Sequence, residues 1–289
     1  MDARSMWRVV EPYHQLAYRS PEAVAQMQGL GLHRPELQYF GARLAALGPV
    51  VAPVAVAVLY GFAPAYVQRA IPEVWERADP ASITQARRRA ADETLRRILG
   101  ALVDAATIAR AAELARRAAT AADLPGRPLA AAHLAQPWPD EAHLVLWHAC
   151  TVLREHRGDA HWVATAAAGL DAVECHVLHG ADGHMPPEML QRVTGWDDPA
   201  WAAATDRLRE RALIGPDGVT TAAGAALKER LERHTDELAD VPYRELGAPE
   251  RRELQAVLAS LVRPILDAGV AEAWKLREQL WRHPPPADA

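Results

Sequence analysis

Phenylalanine and cysteine are nearly missing from this sequence, with 2 of each in 289 residues. Two thiols, Cys150 and Cys175, cannot build a disulfide framework, which removes the small secreted scaffolds that depend on one. With no signal peptide in the charged stretch 1–8, the sequence predicts a cytoplasmic protein. A basic surplus is also lacking. The 32 Lys and Arg stand against 37 Asp and Glu, a formal net charge of -5, so any grip on a phosphate backbone needs a local patch. Residues 44–68 carry no charge, but Gly48, Pro49, Pro53, Gly61 and Pro64 interrupt them and leave only 54–60 unbroken. That is far short of the roughly 20 apolar residues that span a bilayer, so a buried core helix is expected and no membrane partner. β-Branched residues are sparse outside 50–58, which argues against much sheet.

Catalytic signatures are missing as well. There is no GxSxG, no glycine-rich phosphate loop, no HExxH and no paired CxxC. Cys175, His176, His179 and His184 are four potential metal ligands, and Cys175 and His179 share a helical face. His176 points about a quarter-turn away and no second ligand pair exists at motif spacing, so neither a metal nor a cofactor is expected.

What is present is half apolar, dominated by Ala, Leu and Arg, and suited to a helical protein with a full core. Helices are predicted over 5–19, from Ser20-Pro21 to Gly29, after Pro35, between Pro64 and Pro72, from Asp79-Pro80 to Gly100, and over 104–122. The arginines clustered at 87–97 read as a solvated face. Further helices are predicted over 141–157 and 160–180, interrupted at Gly158-Asp159, with Asp159 as the cap of the second. Together these form an all-helical N-terminal bundle domain over 1–180.

A winged helix-turn-helix is predicted over 181–240, with the module proper at about 185–237. Pro186-Pro187 opens one helix, Thr194-Gly195-Trp196 makes the turn, and Asp197-Asp198-Pro199 caps a second helix bearing Trp201, Ala204, Leu208 and Arg211. Gly215-Pro216-Asp217-Gly218 reads as the hairpin of a small two-stranded wing, and Thr221 to Gly224 as the start of a closing helix. Arg207, Arg209 and Arg211 are the candidate DNA contacts. The end that should meet base edges instead carries Asp197 and Asp198, which repel a polyanion, and Trp201 with alanines, which offer no donor fork. Residues 241–289 are predicted as a C-terminal helix over 249–281 and a disordered tail. Leu254, Leu258, Leu261 and Ile265 form an apolar ridge on that helix, available for a homodimer or for covering the winged helix.

The blocks EPYHQLAY, YFGARLAALGPV, YGFAP, GRPLAAAH, LWHACTVLREHRGDAH and ERHTDELADVPYRELG, spread over residues 11–247, resemble the actinobacterial SalK-like proteins. The resemblance implies an all-helical N-terminal part joined to a winged helix and a setting near secondary-metabolism genes, and it implies no particular reaction. Its blocks place His14, Tyr18, Tyr39, Arg43, Tyr60, residues 126–129 and residues 154–161 outside the winged helix; His148 and Cys150 depart from the usual pattern.

The densest polar cluster is residues 154–161. Buried, such groups need partners, so the cluster reads either as a salt-bridge knot between helices or as the floor of a small-molecule pocket. Under the second reading the ligand-binding candidates are His14, Tyr18, Tyr39, Arg43, Tyr60, Trp147, Arg154, Arg157 and Asp159. Two functions follow. One is a regulator-type protein that binds a small molecule in the helical domain and transmits occupancy to DNA, with DNA contact weakened by the acidic recognition helix. The other is a cofactor-independent or metal-assisted enzyme of natural-product metabolism that keeps the winged helix as a scaffold, with His156 or His161 as general base, assisted by Glu155, and with Arg154 or Arg43 holding an anion.

Overall fold

The computed structural model describes residues 2–183 and 185–270. The expected tail, the end of the final helix at Trp281 and the candidate ligand His184 lie outside the described residues. The helices follow in order as α1 (Ala3–Arg19), α2 (Pro21–Gly29), α3 (Pro35–Leu44), α4 (Ala52–Val58), α5 (Pro64–Gln68), α6 (Glu73–Arg77), α7 (Pro80–Leu99), α8 (Ala106–Thr120), α9 (Pro128–Leu134), α10 (Ala142–Ala167), α11 (Ala172–Gly180), α12 (Pro187–Thr194), α13 (Asp198–Glu210), α14 (Ala222–Ala239) and α15 (Ala248–Asp267). Short 3-10 turns lie at Ala45–Leu47, Gly100–Asp104 and Val241–Glu245. Their starts are chemically marked: Asp2, Ser20, Asp79, Asp171, Asp197 and Thr221 each accept a first-turn amide through the side chain. Each such bond satisfies a donor that the helix itself cannot.

The long helix α10 organises the molecule, and it runs straight through Gly158 and Asp159, where an interruption was expected. A mid-helix glycine costs about 1 kcal/mol. Here the helix is buried along most of its length, so packing against α1, α8, α9 and α14 outweighs that cost. Asp159 does cap a helix, but not its own. Its Oδ2 accepts the amides of Leu129 and Ala130, both at 3.1 Å, at the start of α9. The real break comes at Gly169 and Leu170, after which Asp171 forms a capping box with Glu174.

Three apolar cores share this axis. The largest joins α1, the end of α7, α8, α10 and α15 around Tyr13, Leu16, Leu95, Leu114, Leu146 and Leu258. A second joins α2 to α6 and the start of α7 around Phe40, Leu44, Val74 and Ile83. The third packs the end of α10 with α11, α13 and α14 around Leu178, Ala204, Leu208 and Leu231. The ridge Leu254, Leu258, Leu261 and Ile265 is buried in the first core, against α1 and α8. It therefore neither faces solvent nor covers the C-terminal module. Among the described residues no single helix is long and apolar enough to cross a membrane; the apolar stretch folds as the bent pair Pro35–Leu47 and Ala52–Val58, at 90°.

The expected winged helix with a two-stranded wing is not what forms. Helices α11, α12 and α13 make the tri-helical arrangement, but no strand occurs among the described residues, and only an isolated antiparallel bridge joins Ile214 to Thr220. The reason is length. Ala212 terminates α13 with φ 53, and Thr221 is already the N-cap of α14. The turn at residues 215–218 then leaves two residues on each arm, and the Thr220 amide donates to Ala181 O rather than to a ladder. The fold is all-α with a turn where a wing was predicted.

Candidate functional site

At the centre of the helical part lies a buried charge network. Glu155 is fully buried, accepts Arg43 bidentately at 3.2 and 3.0 Å and accepts Arg154 at 2.9 Å. Arg154 also reaches Glu11, at 3.1 Å, and Glu11 accepts Trp7 at 2.9 Å and Gln15 at 2.6 Å. Three helices, α1, α3 and α10, are thereby tied through five polar side chains and one indole. Burial works to raise the pKa of both carboxyls, but the guanidiniums outweigh it. Arg154 leads in bringing Glu11 to about 2, and Arg154 with Arg43 holds Glu155 well below the carboxylate range. Both are ionised at neutral pH.

Beside this network sits Arg87 of α7, which is 3% exposed and pairs with no carboxylate among the described residues. Its guanidinium lies over the rings of Tyr18 and Trp147, at 5.1 and 5.2 Å, and donates to Tyr18 Oη at 3.2 Å. Its Nε has no partner, nor do the buried Nε2 atoms of His133 and His148. His14 shares a 3.1 Å hydrogen bond with Thr151, and Trp147 donates to His14 O at 3.4 Å. Burial first, then the nearby guanidiniums, keeps these imidazoles neutral: His14 at about 3, His148 at about 4, and His133 well below its ordinary value. Tyr18 and Tyr39 are half-buried and form the outer side of this region, with rings 5.4 Å apart.

Of the candidate ligand residues, the structure brings together His14, Tyr18, Tyr39, Arg43, Trp147 and Arg154. Asp159 lies close enough to Glu155 that burial and that charge push its pKa up to about 7. Tyr60 falls elsewhere, and Arg157 meets the network at Trp7, its guanidinium 5.4 Å from that ring. Tyr60 donates to Leu170 O at 2.9 Å and stacks on Trp162, and Arg157 pairs with Asp236 at 2.6 Å and Glu232 at 3.2 Å. The catalytic candidates do not converge. Glu155 is held by two arginines, His156 bonds Asp123 at 2.7 Å, and His161 meets Thr235 at 3.3 Å and Cys175 at 3.8 Å on α14 and α11. Burial raises the Cys175 thiol to about 11, so it is protonated at neutral pH. Among the described residues no group of three or more His, Cys, Asp or Glu is placed to hold a metal.

The sequence reading missed Arg87, His133 and Glu11. Arg87 was assigned to a solvated face with its neighbours, and Arg89, Arg96 and Arg97 are indeed exposed. Helical spacing, though, puts Arg87 on the stripe of Ile83, Ala90, Ala91 and Thr94, all buried, and that signal was available.

In the C-terminal module, each candidate DNA-contact arginine is engaged by a carboxylate. Arg207 bonds Asp171 at 2.6 Å and Glu174 at 2.8 Å, Arg211 bonds Glu174 at 3.3 Å, and Arg209 bonds Asp206 at 3.2 Å. Asp197 and Asp198 are exposed at the start of α13, the first as N-cap for Ala200 and the second accepting Gln191. Residues 172–239 contain 12 Asp and Glu against 7 Lys and Arg, so the module alone carries a charge of -5.

The turn between α12 and α13 is fastened to the helical part. Gly61 O accepts Trp196 Nε1 at 3.1 Å and His176 Nε2 at 2.8 Å, and the Ala63 amide donates to Thr194 O at 2.9 Å. Next to Gly61, Phe62 lies 5.8 Å from Tyr39 and 5.2 Å from Phe40. A continuous line of rings, His14, Tyr18, Tyr39 and Phe62, thus runs from the buried charges to the loop that holds the turn.

No match is found among curated proteins or among solved structures. The model of a family described as a helix-turn-helix family matches residues 3–272, which covers both the helical part and the tri-helical module. The chain belongs to that helix-turn-helix family.

Proposed function

We propose that this is a regulator-type protein of SalK-like kind, which takes a small molecule in its helical part and conveys occupancy to the helix-turn-helix module. One observation carries the reading: the loop at Gly61 and Phe62 is at once the anchor of the module's turn and the neighbour of the aromatic side of the charged core. A ligand moving Tyr18 or Tyr39 acts on Phe62, and Phe62 acts on the carbonyl that orients Trp196. Coupling of this kind requires a physically connected element with two arrangements, and the loop supplies the connection.

The module's output is contact with DNA that is weak in the ligand-free arrangement. Exposed ion pairs are worth only about 0–1 kcal/mol, so a phosphate can compete for Arg207, Arg209 and Arg211, but the released carboxylates remain beside it. The test is fluorescence anisotropy of the full chain with a labelled duplex from its own upstream region, across a salt series. Weak binding at low salt is expected, strengthened on the order of tenfold, ~1.4 kcal/mol, by Asp197→Asn with Asp198→Asn, since asparagine keeps the cap and removes the charge. Nanomolar binding by the unaltered protein, with the steep salt slope of about six or more phosphate contacts, would contradict the electrostatic argument. Absence of any binding at low salt by folded protein removes DNA from the reading.

A further inference from the structure

We infer that Arg87, with His133 and Tyr18, forms a buried site for the carboxylate of a small molecule. The inference deepens the proposal above, on which it rests for the presence of a ligand, by naming the ligand's chemistry. A guanidinium removed from water requires a counter-charge, and around this one the account does not balance. Tyr18 from α1 and Trp147 from α10 touch it, and His14 from α1, His133 from α9 and His148 from α10 lie close enough to feel its charge. Among the described residues no carboxylate pairs with it: Glu155 is held by Arg43 and Arg154, and Arg154's other partner is Glu11. Three guanidiniums therefore share two carboxylates. Asp159 faces the amides of α9 instead.

The unused hydrogen-bonding atoms point the same way. Arg87 Nε and His133 Nε2 are buried without partners, and the two residues are close enough for the guanidinium to depress the imidazole. A neutral imidazole in the Nε2–H tautomer and the Nε–H edge of an arginine are both donors, suited to the two oxygens of a carboxylate. Tyr18 and Trp147 pack their rings against the guanidinium while its Nε–H is left unused, and the half-buried rings of Tyr18 and Tyr39 favour a flat apolar group behind the carboxylate.

Thermal melting of the full chain at constant ionic strength tests this, with benzoate, benzamide and nitrate as probes. Benzoate should raise the melting temperature saturably, by roughly 5 °C at a hundred times its dissociation constant, with little effect from the other two. Arg87→Met should abolish the response and, without ligand, melt no lower than the unaltered chain, because it removes an unbalanced buried charge at similar volume; Arg89→Met, on the exposed side of α7, should respond normally. Equal shifts with benzamide would sustain small-molecule binding but overturn the carboxylate, and equal shifts with nitrate would reassign the site to any small anion. No saturable shift with any probe overturns the site. If Arg87→Met does not fold, Arg87→Lys, which keeps the charge but loses the planar edge, must need at least tenfold more benzoate; an undiminished response overturns the assignment.

Discussion

Glu155 shows how much of this protein hangs on single side chains. It accepts three charged hydrogen bonds from two arginines in a fully buried position. Removing one member of such a set leaves the others buried and uncompensated, at about 3–5 kcal/mol. Glu155→Gln should therefore lower the free energy of unfolding in urea by about that amount, and a loss under 1 kcal/mol would show that water reaches the network. The histidines add a pH dependence. His14, His133 and His148 have depressed pKa values in the folded chain, so between the unfolded value near 6.5 and the folded values the unfolded chain binds more protons. Stability is then full above that upper value and falls as pH drops from about 6.5 toward 4. Asp159 works in the opposite sense, since a raised carboxyl loses its contribution as pH rises toward about 7, and so does Asp236, raised by burial, but the two stand against four imidazoles, because burial lowers His156 as well. Glu11, lowered to about 2, withdraws its share only in stronger acid. The urea midpoint should fall between pH 7 and pH 4.5 with an unchanged slope; a midpoint that holds or rises would contradict the neutral assignment of the imidazoles.

At the scale of elements, close approach decides where the module sits. A Cβ on Gly61 would meet the Trp162 ring at 2.6 Å and His176 at 3.1 Å, and one on Gly195, which has φ +78, would overlap the Tyr66 side chain. Gly61→Ala should push α11 off the loop, and Gly195→Ala combines that overlap with the ~1–2 kcal/mol of a left-handed alanine. Both should expose Trp196 to solvent, seen as a red-shifted emission lost in the Trp196→Phe background; unshifted emission would mean the turn is not held by this loop. Helix starts were legible because Ser20, Asp79, Asp197 and Thr221 carry their capping chemistry locally. The path of α10 was not. Gly158-Asp159 has the composition of a break, and only the three-dimensional position of α9 reveals that Asp159 caps a helix some 30 residues upstream. The wing failed for a similar reason: Gly215 to Gly218 does turn, but whether the arms are long enough depends on where α13 stops and α14 starts. Within the candidate site, the spacing of the aromatic and charged residues on their helices was readable, whereas the pairing of Arg43 with Glu155, across 112 residues, was not.

For the whole molecule, the consequence is a division of charge. The helical part buries the guanidinium of Arg87 with no carboxylate paired to it among the described residues, while the module of residues 172–239 carries an excess of carboxylate. On the proposal above the first takes a small anion and the second discourages a large one, and the ring line from Tyr18 to Phe62 joins them. The central claim is that occupancy at Arg87 is felt at the turn. Fluorine NMR of the chain carrying 5-fluorotryptophan, with the Trp147 and Trp196 resonances assigned through their Phe variants, reads both ends at once during a benzoate titration. The account predicts that both resonances shift with one binding curve, that Arg87→Met loses both shifts, and that Phe62→Ala keeps the Trp147 shift and loses that of Trp196. A Trp147 shift in the unaltered protein with Trp196 unmoved would contradict it.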